Sequence, residues 1–461
     1  MRFDPLLADI RFGCGRSPMV PAPQDVGEIM AGLRGPDVIA QTYPIEPFEV
    51  FLVRMQEMKT VSRVRRQMRG KPEGDVARKQ ARVMNKEARE AQGTWLAAHL
   101  ARRSFTGVPL RERLETFWGD HFTAVGKQGL IRRATSPYLQ SAIRPNLMGP
   151  FEDLLIAAVT HPVMVHYLDQ DSSVGPNSQQ AKKKPGKFGL NENLAREILE
   201  LHTLGVGGPY TQVDVRELAE LLTGLSLNFN TGTQFRKPAA EPGAETVLGK
   251  SYGGDNPTLR DIHAVLRDLA RHPVTARHVS GKLAVHFIAD TPDPALVDAM
   301  AAAWQDSDGD LPTIYDAMLN HPAAWNPDVS NIKQPFDFIS SAFRALAIPF
   351  ENYGRLKEHQ FRQRVQQPLA LMGHIWQKPS GPDGLDEDDS TWISPQGVAA
   401  RLQWSLAVPR LLMPDLPDPR VFVETALGPR ATERVRFAAK AAESKADGIG
   451  LVLASPAFQR M

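Results

Sequence analysis

Gly74-Asp75-Val76-Ala77-Arg78-Lys79-Gln80-Ala81 opens a run that closes Trp95-Leu96-Ala97-Ala98-His99-Leu100-Ala101-Arg102-Arg103-Ser104-Phe105. Ala, Arg, Lys, Glu and Gln dominate it, and no proline falls between Asp75 and Val108. Such residues lose little side-chain freedom in a helix, so the composition predicts one long helix over 74–105. Trp95, Leu96 and Leu100 make the second half apolar, which predicts docking onto a core.

Outward from this run the same periodicity recurs. Pro109 opens a helix with Leu110, Leu114, Phe117 and Trp118 at three- and four-residue spacing. Residues 149–160 and 162–168 read as two more. His-Pro occurs at His161-Pro162, His272-Pro273 and His321-Pro322, each before a helix-like run. Proline suits the first helical position, where its missing N–H costs nothing, so these pairs are read as helix starts. Residues 171–189 and 378–394 have loop composition. Between Leu227 and Asn256 Asn, Thr, Gly and Pro prevail, which predicts one or two hairpins. Helical patterning resumes from Pro257 to Leu346, and again over 395–412. The fold expected is mainly α, a large multi-helix assembly with a minor β or irregular segment near 227–256. It is one family-spanning unit over 1–461, or two lobes, 1–226 and 257–461, joined by 227–256.

Composition limits function. In 461 residues, 42% hydrophobic and 23% charged, Lys and Arg exceed Asp and Glu by only two. No global field draws the chain to nucleic acid. The basic group Arg63, Arg65, Arg66, Arg69 and Lys71 is interrupted by acids and lacks interleaved aromatics, so it reads as a solvated face, and Lys182 to Lys184 as loop. The single Cys14 excludes a disulfide framework and a multi-thiolate metal site. The N-terminus has no run of seven to fifteen apolar residues of the signal-peptide kind. The apolar stretch from Leu154 to Val165 is broken at Thr160-His161-Pro162 and is too short for a membrane span. A cytoplasmic location is expected. Phosphate-loop, dinucleotide, His-Glu-x-x-His and Gly-x-Ser-x-Gly motifs are all absent.

The most informative segment is Asn191-Glu192-Asn193-Leu194-Ala195-Arg196-Glu197, continuing through Glu200 and His202 to Gly207. On a helix Glu192, Asn193, Arg196, Glu197 and Glu200 share one arc, opposite Leu194, Ile198 and Leu201. Arg196 is four residues from both Glu192 and Glu200, so one guanidinium can pair with two carboxylates. That is either a solvated ion-pair ladder or a buried acid–base cluster. In the second case Glu197 and Glu200, on adjacent turns, can share a divalent metal ion, while His202 points elsewhere. Gly205 and Gly207 supply helix-ending geometry, and Thr211 with Asp214 reads as a capping box. His121, beside Asp120 in Phe117-Trp118-Gly119-Asp120-His121-Phe122, is either a core histidine or a base. Asp169, an acid at a helix end, requires a compensating cation or a function. His121, Asp169, Arg196, Glu197 and Glu200 are therefore the candidate catalytic residues.

These residues also carry a resemblance. Arg11-Phe12-Gly13-Cys14-Gly15, the Phe117–Phe122 stretch and Asn191 to Gly207 with Tyr210-Thr211 and Asp214-Val215 are similar to a bacterial family catalogued as domain of unknown function 1800. So are Arg277 to Phe287 around Lys282, Lys333-Gln334-Pro335, and Trp392-Ile393 followed by Arg401. The chain departs from the pattern at Thr223-Gly224-Leu225, at Pro238 to Gly243 and at Gly384-Leu385. The resemblance implies a partner, because genes of this family often lie beside those of a second family, DUF1501, which looks sulfatase-like and often carries export signals. Two functions are thus expected. The first is an accessory or binding protein working with such a partner, either retained in the cytoplasm or exported in complex with it. The alternative is a helical enzyme with an acid–base or divalent-metal site between the Asn191 and His121 helices.

Overall fold

The long helix forms as Pro72–Phe105. Pro72 occupies the first turn, and the chain leaves helical geometry at Thr106. The Phe48–Gln67 helix packs on its first half through Val61, Ala77 and Ala81. From Trp95 to Ser104 every residue is buried. The structure, a computed structural model, describes residues 2–461, and its buried apolar side chains fall mainly into two clusters on either side of this segment. One takes Trp95 and Ala98 together with side chains from Leu7 to Val329 and with Met461. The other takes Leu96, Ala97, Leu100 and Ala101 with side chains from Phe336 to Phe458. Polar side chains on a helix so placed need partners to offset their burial. Arg102 donates to the Tyr43 carbonyl and to Gln140, and Arg103 to Asp337 and Ser340.

The remaining elements follow their local signals. Helices Pro109–His121, Phe151–Val159, Pro162–Tyr167, Leu259–Ala270, Pro273–Phe287, Pro335–Leu346 and Pro395–Ala407 occupy the periodic stretches. All three His-Pro pairs begin helical turns, and the histidine itself is the cap. Nδ1 of His161, His272 and His321 accepts from the backbone N–H two residues on, at 3.2, 3.2 and 3.3 Å. Thr211 and Asp214 form the reciprocal capping box ahead of Gln212–Leu221. The irregular segment holds two antiparallel hairpins, Leu225–Asn228 with Gly232–Phe235 and Gly243–Val247 with Lys250–Gly254. The second turns on Leu248 and Gly249, both at positive φ, the geometry a two-residue hairpin demands. Residues 171–189 are more ordered than their loop composition suggests. Ser178 caps a short helix, Gln179–Lys183, and Glu241 accepts from the Asn177 backbone and side chain at 2.8 and 2.6 Å. Among the described residues no helix is long and apolar enough to cross a membrane.

Candidate functional site

The Asn191 segment is α-helical only over Asn193–Glu197, and Ile198–Thr203 continues as a π-helix. Thr203 Oγ1 donates to the Ile198 carbonyl at 2.6 Å and Leu204 N to the Leu199 carbonyl at 3.0 Å, each five residues back. The wider turn shifts the phase of everything after it, so the 100° projection does not hold for His202. That side chain is buried against His121 and Phe122. Arg196 bridges Glu192 and Glu200 at 3.4 and 3.1 Å, with side chains 39%, 35% and 25% exposed. This is the geometry of a surface ladder, worth tenths of a kcal/mol per pair. Glu197 is half-buried, and burial followed by the charges of Glu200 and Asp383 raises its pKa. Asp169, just past a helix end with φ +57°, has the compensating cation: Lys127 Nζ stands 2.5 Å from its carboxylate. His121 is enclosed by Phe117, Trp118 and Phe122, and its Nε2 meets the His202 carbonyl at 3.2 Å. Burial, then Lys282, holds it far below the usual imidazole range. Arg196 and Glu200 are thus brought together, while among the described residues no hydrogen bond or ion pair ties His121 or Asp169 to them. No three His, Cys, Asp or Glu side chains among the described residues are arranged to hold a metal ion.

The helix bearing His121 nevertheless reaches a cavity, with the neighbouring residue. Asp120 lines a space of about 80 Å³ between the end of Pro109–His121, the start of Pro335–Leu346, His286 and the 374–387 segment. Leu385 N–H donates to both Asp120 carboxyl oxygens, at 2.9 and 3.0 Å. Burial pushes this carboxyl up to about 8, partly opposed by that bond and by Lys282 and reinforced by Glu387. The contact needs Gly384: a Cβ there would lie 2.4 Å from Asp120 Oδ2, and φ is +87°. The sequence departure at Gly384-Leu385 spares it, since the donor is backbone.

Behind Asp120 runs a chain of buried charges. Glu387 Oε1 is 2.8 Å from His286 Nδ1, and Arg113 is 3.2 Å from Nε2. A guanidinium only donates, so Nε2 accepts and Nδ1 carries the proton that binds Glu387. Arg113 and Arg103 both pair with Asp337, at 2.7 and 2.5 Å. Burial opposes the charge on Asp337, but the two guanidinium groups outweigh it and hold the carboxyl well below its ordinary range. Across the cavity stand His374 and Trp376. His374 Nδ1 and Trp376 Nε1 are buried and have no hydrogen-bond partner. Burial lowers His374 to about 4, which keeps it neutral.

The sequence singled out this helix through His121, whereas the residue of it that lines the cavity is Asp120. His121 and Asp120 sit about 100° apart, and which of them faces the cavity is set by a turn 265 residues away. Two signals pointed here: His286 lies inside the Arg277–Phe287 stretch, and Gln334 of Lys333-Gln334-Pro335 is on the wall.

No curated protein and no solved structure matches the chain. A family model described as "Protein of unknown function (DUF1800)" matches residues 19–460, nearly the whole length, and the chain belongs to that family.

Proposed function

We infer that the cavity binds a compact carbonyl compound and that Asp120 serves there as a proton donor. One observation carries this reading: two residues that line the cavity, His374 and Trp376, each keep a buried ring nitrogen, Nδ1 and Nε1, without a hydrogen-bond partner. A buried polar group without a partner costs roughly 1–3 kcal/mol, a cost that a ligand's oxygens would remove. Convergent polar groups in an otherwise apolar pocket are what a small-molecule site requires. Asp120, protonated at neutral pH, can both donate to and accept from such a ligand. In this reading His121 supports the wall from the core, Glu197 adds negative charge beside Asp383, and Arg196, Glu200 and Asp169 lie outside it. Thermal-shift titration with acetamide, acetate and methyl acetate tests it. A rise in Tm that disappears in W376F and H374A is expected. Equal shifts in wild type and both variants, or none with any compound, would overturn it.

A second reading, an accessory protein docking on the sulfatase-like partner that the family resemblance implies, is favoured by a different feature. Val398, Leu402 and Leu406 recur every fourth residue on Pro395–Ala407 and remain 38%, 42% and 43% exposed. An apolar stripe of this kind is a common docking surface for a protein. Co-expression with the neighbouring gene's product should yield a complex that L402D disrupts. Failure of the wild type to co-purify would remove this reading.

A further inference from the structure

One wall of the cavity leads to a serine. Ser136, the second residue of the Thr135–Tyr138 turn, is fully buried, and its Oγ lies 3.4 Å from His99 Nε2. On the other side of the ring, His99 Nδ1 lies 3.9 Å from Glu115 Oε2. Glu115 is fixed in turn: Gln140 Nε2 donates to Oε1 and Arg144 to Oε2, both at 2.7 Å. Three separate helical segments therefore supply a hydroxyl, an imidazole and a carboxylate in line. The arrangement is defined by geometry and roles and does not depend on a sequence motif or chain order. Its distances are looser than a working hydrogen-bond chain, as is common before substrate closes a site.

The serine's second partner is Gln377, whose Nε2 is 2.8 Å and whose Oε1 is 3.0 Å from Ser136 Oγ. Gln377 is held at φ +51°, a region that non-glycine residues seldom occupy. His99, Glu115, Thr135 and Gln377 all line the cavity. Gln377 is thus a strained plug between the cavity and the hydroxyl, and backbone strain of this kind concentrates at functional sites.

The geometry points to Ser136 as a nucleophile toward esters of short acyl groups, with His99 as its general base and Glu115 as the residue that positions His99. The substrate class follows from the cavity, about 80 Å³ and walled by Val125, Leu139, Phe336 and Ile375, which suits a short apolar acyl group. As Ser136 Oγ attacks the acyl carbon its proton passes to His99 Nε2. The ester C–O bond breaks and His99 returns that proton to the leaving alcohol oxygen. Water then attacks the acyl-serine, again with His99 taking and returning the proton, so ester and water give acid and alcohol. Burial, then Arg102, keeps His99 neutral and able to accept. This inference rests on the reading that the cavity admits a carbonyl compound. It extends that reading by a covalent step, and acetamide binding to S136A reports on the cavity alone.

The test is reaction of the full-length protein with methanesulfonyl fluoride, read by intact mass and peptide mapping, and hydrolysis of 4-nitrophenyl acetate. A single adduct on Ser136 is expected, lost in S136A, with hydrolysis lost alongside. H99Q should slow labelling about a thousandfold or more, whereas Q377A, which unplugs the hydroxyl, should speed it. The labelling rate should rise with pH across His99's titration, below the ordinary imidazole range. That ring is faced by Arg102 and Arg103 from its own helix, Glu112 and Glu115 from the next, and Arg144 beyond. E115Q should move the midpoint lower and E115D restore it, which loss of packing alone would not do. Wild type and Q377A both left unlabelled, or an adduct on another residue, would overturn the assignment.

Discussion

Asp120 shows how much one side chain's surroundings decide. Its carboxyl has an ordinary value of 3.8 and is raised to about 8 by burial in the fold. A group with a raised folded pKa binds its proton more tightly when folded. Its contribution to stability is therefore complete below 3.8 and is lost as pH rises through about 8. D120N retains the acceptor for Leu385 N–H but cannot ionise. It should gain on wild type by ~1–2 kcal/mol between pH 5 and 9, less than the full linkage because the carboxyl also faces the cavity. Urea denaturation at a series of pH values measures this, and a constant difference across the series would refute it. Residues of this kind were only half legible in the sequence. Arg196 could be placed between two acids because the partners are local. Asp120 could not be, because the donor Leu385 and the charge of Glu387 that surround its carboxyl are distant in the chain and adjacent only after folding.

Elements were more legible than residues, and the exceptions have physical causes. Proline at N1, capping boxes and four-residue apolar spacing are local, so the long helices and the hairpin segment could be read directly. The π-turn over Ile198–Thr203 could not, since one extra residue in a turn leaves the apolar pattern almost unchanged while moving His202 into the core. The histidine caps were hidden for a similar reason: proline at N1 was sufficient to explain each His-Pro pair, and only the structure shows Nδ1 accepting. The turn at 381–385 is the element on which the cavity depends. G384A places a methyl group on the Asp120 carboxylate and forces alanine to φ +87°. It should cost about 1–3 kcal/mol. D120A/G384A should recover the part due to the collision but not the part due to φ, so the two changes are non-additive by roughly 1 kcal/mol. Strict additivity in denaturant midpoints would show that the turn does not rest on Asp120.

The whole molecule adds a property that no single residue carries. Two apolar clusters meet on the Trp95–Ser104 segment, and histidines are buried throughout both. Burial holds His161 and His202 at about 3 and His374 at about 4, and keeps His99 and His121 well below their ordinary 6.5. A depressed histidine contributes stability that is fully present above 6.5 and is lost as pH falls toward its folded value, because the unfolded chain takes up the proton that the fold refuses. Carboxyls raised by burial act in the opposite direction. Asp9 at about 6, Asp120 and Glu245 at about 8 lose protons on unfolding in the same window. The histidines outnumber them, so unfolding near pH 5 should take up about two to three protons net. Above 6.5 Asp120 and Glu245 go on lowering stability as pH rises to about 8, while Lys333, held by burial at about 7, acts in the opposite direction up to its ordinary 10.5, so the alkaline limb should be shallow. The curve should therefore peak near neutrality and drop more steeply on the acid side. The slope of unfolding free energy against pH between 5 and 6 gives the proton number directly, and calorimetry in two buffers of different ionisation enthalpy gives it independently. A flat acid limb would mean that these histidines are protonated within the fold, and the neutral His99 on which the nucleophile assignment depends would fall with it.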